Sequence, residues 1–175
     1  NPFVDVAEGT YYYDPVLWAV ANGITSGVDA TQFEHEGTCT RAHAVTFLWR
    51  ASGQPEPKTT NMPFRDVKPG SYYEKAVLWA VENKITNGTS TTTFSPDENC
   101  TRAQIVTFLW RSKGEPYASD SNNPFTDIAS DYYMDAVFWA VKEGITNGTT
   151  PTTFSPNERC TRGQIVTFIY RAMAS

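Results

Sequence analysis

The stretch Cys100-Thr101-Arg102-Ala103-Gln104-Ile105-Val106-Thr107-Phe108-Leu109-Trp110 decides how this chain folds. Thr101 and Gln104 have the spacing of a capping box. The threonine hydroxyl accepts from the backbone N–H three residues on, and the glutamine side chain reaches back to the threonine N–H. A helix therefore begins at Arg102. Cys100 stands just before the cap and Ile105 four residues into the helix, the two places where an apolar pair staples the chain to its first turn. Ile105, Val106, Phe108 and Leu109 then form one wide apolar face, and Gly114 closes the helix.

The same words occur twice more. Cys160-Thr161-Arg162-Gly163-Gln164-Ile165 repeats the cap and the staple, whereas Cys39-Thr40-Arg41-Ala42-His43-Ala44 is weaker, with His43 for Gln and Ala44 for Ile. The period is strict: Phe3, Phe64 and Phe125 are 61 residues apart, and Trp18, Trp79 and Trp139 follow at 61 and 60. Such self-similarity marks a repeat architecture. Each unit opens on Pro-Phe-x-Asp-Val/Ile, passes a Tyr-Tyr pair and a Val-Leu/Phe-Trp-Ala-Val run, and reaches the capped helix through a Gly-containing loop. In the second unit Tyr73, Ala76, Val77, Ala80 and Val81 have helical spacing, which predicts a helix over about Tyr72 to Asn83. Gly23 and Gly144 stand just past that helix in the first and third units, where a left-handed residue is wanted; Lys84 departs from this rule.

These patterns divide the chain into repeats at 1–53, 62–114 and 124–175, joined by linkers at 54–61 and 115–123 that are rich in Pro, Ser, Thr and Asn. Two short helices cannot bury so much aromatic surface, so the units must pack on one another. On pattern alone, an open stack and a closed arrangement about a pseudo-threefold axis are equally admissible. Trp18, Trp79 and Trp139 lie within apolar runs and are expected in the core. Trp49, Trp110 and Tyr170 are expected between repeats.

With 40% hydrophobic and 14% aromatic residues in 175, the chain is globular, and its net charge of −5 argues against nucleic-acid partners. No apolar run approaches the ~18 residues of a membrane span, so no membrane insertion is expected. Asn1 opens directly on a motif, which reads as the start of a processed or excised piece of a longer protein. Cys39, Cys100 and Cys160 fall one to a repeat, so no repeat can close its own disulfide; they are expected as half-buried free thiols, with a three-thiolate metal site disfavoured. His35 and His43 lack partners at ligand spacing and are expected to be solvated. Polar residues that recur three times do not suit a single asymmetric catalytic site, and neither an enzyme nor a cofactor is expected.

The ordered set of motifs resembles the S-layer homology family. The second unit has Phe64-Arg65-Asp66-Val67, Asn87-Gly88-Thr89, Phe94-Ser95-Pro96 and Thr101-Arg102-Ala103-Gln104. The third has Phe125-Thr126-Asp127-Ile128, Asn147-Gly148, Phe154-Ser155-Pro156 and Thr161-Arg162. The first has Phe3-Val4-Asp5-Val6, Ser26-Gly27, Phe33 and Thr40-Arg41. The resemblance implies a mainly helical pseudo-trimer on a bacterial cell surface, with grooves between adjacent units that bind secondary cell-wall polysaccharide, often through a pyruvylated terminal sugar. It implies ligand contacts from Arg41, Arg102 and Arg162, with Tyr11, Tyr72 and Tyr132 in place of the family's usual Trp. Asp5, Asp66 and Asp127, and Gly27, Gly88 and Gly148, would rim the same grooves. The family's Glu in the capping motif is His43, Gln104 and Gln164 here, and the first unit's groove is the most altered.

An arginine at the first position of a helix opposes the helix dipole by roughly 0.3–1 kcal/mol, and three such arginines ask for a reason. A carboxylate held by the guanidinium fork is one. Pairing with Asp5, Asp66 and Asp127 to pin the units together is the other. A scaffold that docks another protein and binds no glycan is the alternative function.

Overall fold

The computed structural model describes residues 1–174; Ser175, the last residue of the third repeat as read from sequence, lies outside the described residues. Six helices carry the fold: α1 (Tyr13–Ala21), α2 (Arg41–Ala51), α3 (Glu74–Glu82), α4 (Arg102–Ser112), α5 (Met134–Lys142) and α6 (Arg162–Met173). One 3₁₀ turn, Asp120–Asn122, interrupts the second linker.

The capping boxes form in all three repeats. Thr101 and Thr161 accept from the N–H of Gln104 and Gln164, whose side chains accept from the threonine N–H. His43 does the same work as glutamine: Thr40 accepts from the His43 N–H, and the Thr40 N–H donates to His43 Nδ1 at 3.3 Å. The first cap is therefore complete, with a bond to His43 longer than the 3.0 Å bonds to Gln104 and Gln164. The staple cysteines are wholly buried, with Cys39, Cys100 and Cys160 all at 0% exposure, not half-buried. Burial pushes the Cys100 thiol up to about 12 and the other two well above their ordinary value, so all three stay protonated.

The first helix of each unit is shorter than its apolar pattern, α3 running from Glu74 to Glu82, because the Tyr-Tyr pair belongs to the preceding turn. All three end in the same way. The N–H groups of Lys84 and Ile85 return to the carbonyls of Val81 and Ala80 with Lys84 in the left-handed region at φ 59°, just as Gly23 and Gly144 do at 68° and 70°. Lys84 thus adopts the glycine conformation at a cost of about 1 kcal/mol.

Helices α2, α4 and α6 pack on one another at the centre, while α3 packs on α2, α5 on α4 and α1 on α6. Each lobe thus pairs the second helix of one repeat with the first helix of the next, and the third lobe pairs the first helix of the chain with the last. In that lobe Trp18 meets Tyr170 edge to face at 5.5 Å. Trp79 and Trp139 are buried and Trp18 is partly so. The indole N–H groups of Trp49 and Trp110 donate to Pro55 and Pro116, pinning the start of each linker.

Around the axis, the N-terminal turn of each central helix is bonded by the loop of the next unit. Arg41 and Ala42 N–H donate to the carbonyls of Glu98 and Pro96, Arg102 and Ala103 to Glu158 and Pro156, and Arg162 and Gly163 to Gly37 and His35. The third set joins the last repeat back to the first. The arrangement is closed, which the hydrophobic pattern alone left open.

Candidate functional site

The loop between the two helices of each unit is built on the opening Phe-x-Asp. Asp66 takes the N–H of Phe94 on one carboxylate oxygen and that of Ser95 on the other, both at 2.8 Å. Asp5 and Asp127 hold Phe33 and Glu34, and Phe154 and Ser155, in the same way. Phe94 is thereby driven into the core against Phe64, their ring centroids 5.8 Å apart. A Cβ at Gly88 would overlap the Phe64 ring and the carbonyls of Ser90 and Thr93, so this turn, at φ 82°, requires glycine. Gly27 and Gly148 are confined alike.

The arginines do not pair with these aspartates. Arg41 Nε donates to the carbonyl of Phe94 at 2.9 Å, Arg102 to Phe154 at 2.8 Å and Arg162 to Phe33 at 2.8 Å. Each guanidinium lies between two phenylalanine rings; for Arg41 these are Phe94 at 4.8 Å and Phe108 at 5.5 Å. The three arginines are only 3–6% exposed, and burial works against their charge. Among the described residues the one ion pair is Lys75–Glu56, far out on the surface. No carboxylate touches the buried guanidinium groups; Asp66 and Glu98 favour the charge of Arg41 only through space, and Arg102 and Arg162 have equivalent neighbours.

Three equivalent grooves result, of about 340, 320 and 320 Å³. The largest takes Arg41 from the first repeat, the Thr86–Thr89 loop with Gln104 and Arg111 from the second, and Tyr132 from the third. The next combines Arg102, the Thr146–Thr149 loop, Gln164, Arg171 and Tyr11. The last combines Arg162, the Thr25–Val28 loop, His43, Arg50 and Tyr72. Every groove thus draws on all three repeats. The structure brings the predicted arginines, tyrosines and glycines together, and leaves Asp5, Asp66 and Asp127 off the groove walls as braces of the loop. Tyr11, Tyr72 and Tyr132 stay half exposed beside the cap threonines Thr161, Thr40 and Thr101.

Three groove arginines escaped the sequence reading: Arg50, Arg111 and Arg171. Each stands nine residues after the arginine of its capping motif, a recurrence as strict as that of the tryptophans. The histidines are also not simply solvated. His35 stacks on Tyr12 at 4.2 Å, and His43 lines a groove with its ring 6.0 Å from Tyr72. Among the described residues no helix is long and apolar enough to cross a membrane, and no group of three His, Cys, Asp or Glu is placed to hold a metal ion.

Residues 2–45, 63–106 and 124–166 each match the S-layer homology domain. The chain belongs to the S-layer homology family. Among curated relatives, an endoglucanase of Bacillus sp. (strain KSM-635) is 38% identical over 117 residues, covering 67% of this chain. A cell surface protein of Thermoanaerobacter kivui is 31% identical over 63% of the chain, and a cellulosome-anchoring protein of Acetivibrio thermocellus is 25% identical over 99%. The S-layer homology repeats here span only 12%, 15% and 39% of those three proteins.

Proposed function

We propose that this chain is a non-covalent anchor at the bacterial cell surface that binds secondary cell-wall polysaccharide in its three grooves. Family membership and relatives named for the cell surface and for anchoring support the anchoring role. The observation that carries the glycan reading is the buried guanidinium of Arg41, Arg102 and Arg162. A buried cation that no carboxylate touches is costly, and an incoming carboxylate would supply a direct partner through a forked pair of N–H donors. A pyruvate ketal on a terminal sugar presents such a carboxylate beside an apolar methyl group, and the phenylalanine rings and the tyrosine offer that methyl and the sugar face their apolar surfaces. Three grooves on one chain raise retention through effective concentration, so modest affinity at each would hold the protein to the wall. The grooves themselves carry the binding role; catalysis in a relative such as the endoglucanase is attributed to the part of that protein outside the match.

Co-sedimentation with bacterial sacculi, before and after mild acid strips the attached polysaccharide, tests the reading. Binding that vanishes on stripping, and that weakens in Arg102→Gln, is the expected result. Binding to neither preparation would sink it in favour of a scaffold that docks protein.

A further inference from the structure

Each groove contains not one guanidinium but two, and no acidic residue lines any of them. In a chain with net charge −5, six of the eight arginines are gathered there. The second member of each pair sits in the last turn of α4, α6 or α2, where the helix dipole favours a cation. It commits one Nη to a carbonyl of its own repeat: Arg111 to Ile85 at 3.1 Å, Arg171 to Ile145 and Arg50 to Ile24 at 3.0 Å. Its other N–H groups have no protein acceptor among the described residues.

The two charges are neighbours. Arg41 lies over the Phe108 ring, and Arg111 leaves the same helix three residues further on, one turn away. Like charges in one groove repel, and one carboxylate offsets only one of them. The remaining polar groups favour an anion as well. Gln104 and Gln164 spend their carbonyl oxygens on the caps, which leaves their amide N–H groups for the grooves they line. His43 accepts on Nδ1, so its proton is on Nε2.

We propose that each groove holds two oxyanions of the polysaccharide at once. The first sits on Arg41, Arg102 or Arg162, and the second on Arg111, Arg171 or Arg50. The glycan segment that one groove covers therefore carries at least two negative charges, the second from a carboxylate or a phosphodiester. This rests on the glycan reading above.

The test uses sacculi of Lysinibacillus sphaericus and Acetivibrio thermocellus, co-sedimented with the whole chain across a series of NaCl concentrations. The triple variant Arg50→Gln, Arg111→Gln, Arg171→Gln keeps an N–H donor for the isoleucine carbonyls and removes the charge. It is expected to bind about tenfold more weakly, with a slope of log affinity against log salt shallower by about one for each engaged groove. The corresponding triple lysine variant keeps most of the binding and the slope. Amidating the carboxyl groups of the sacculi separates the two sources: binding that persists with a reduced slope assigns the second oxyanion to phosphate, and complete loss assigns both to carboxylates. Wild-type affinity and slope in the glutamine variant would overturn the two-oxyanion site while leaving the glycan anchor intact. Equal losses in the glutamine and lysine variants, matched by equal drops in Tm, would reduce these arginines to tethers. A wild-type chain that binds neither preparation would overturn both proposals.

Discussion

The two junctions between consecutive repeats and the one that joins the last repeat to the first use the same bonds but different residues. At the consecutive junctions, Pro96 and Pro156 present carbonyls to Ala42 and Ala103. At the closing junction the pair is His35 and Gly163, and Gly37 replaces the glutamates that face Arg41 and Arg102. A Cβ on Gly163 would stand 3.1 Å from the His35 carbonyl and 3.3 Å from its Cβ, so the missing methyl makes room for the histidine. His35 in turn stacks on Tyr12, gaining an aromatic contact that replaces the rigidity of proline. The closing junction has thus been rebuilt as a set, and the groove beside it carries the other exceptions: His43 for Gln and Val28 for Thr. Changes that look like decay when each repeat is read alone are mutually adjusted when the three units are closed.

The largest effect is expected at the loop phenylalanines. Phe33→Ala and Phe94→Ala each remove a side chain with 0% exposure that also stacks under an arginine of another repeat, and each is expected to cost about 3–5 kcal/mol in urea unfolding. A loss near zero for Phe33 alone would mean that the closing junction is not made in solution.

A smaller effect is expected when the closing junction is given the residues of the consecutive ones. Gly163→Ala in the natural background is expected to destabilise, and adding His35→Pro should recover part of that loss. The coupling is about 0.5–1 kcal/mol, read from a double-mutant cycle. Strict additivity would show that the two exceptions are energetically independent.

The first groove should also answer to pH where the others do not. Burial first, and Arg162 second, hold the His43 imidazole below its ordinary range. The unfolded chain therefore binds the proton more readily than the folded one. Stability from neutral His43 is fully present above the unfolded value of about 6.5 and is lost as pH falls towards the lower folded value. Protonating Nδ1 removes the acceptor for the Thr40 N–H, a loss of up to about 1 kcal/mol. The Tm of the wild type should fall more than that of His43→Gln between about pH 7 and pH 5; parallel profiles would contradict the cap geometry. The smallest effect is expected away from the closing junction. Lys84→Gly relaxes a left-handed residue and should raise stability by about 0.5–1 kcal/mol, whereas Gly23→Lys should lower it by a similar amount.

Much of this was legible in the residues because it is local. Thr101 and Gln104 satisfy each other three residues apart, and Cys100 and Ile105 close the same turn, so helix starts and their apolar faces follow from short-range chemistry. Closure into a ring was not legible, since the apolar face of α4 serves a stack equally well. The partner of Arg102 was missed for a related reason: it is the carbonyl of Phe154, 52 residues on, and a backbone oxygen leaves no mark in the sequence. The aspartates misled for the same cause, because Asp66 is opposite in charge to the arginines yet spends both oxygens on backbone N–H groups. Arg111 carried a usable signal in its strict recurrence, but its place at a helix end made it look like an ordinary dipole partner.

The third lobe, in which α1 rests on α6, has a consequence for folding. In the other two lobes the paired helices are consecutive in the chain, α2 with α3 and α4 with α5. α1 and α6 are instead the first and last of the six helices, and they meet only when the chain between them loops back on itself. Forming this lobe therefore closes the longest loop of the three, which makes closure of the ring its most entropically demanding step.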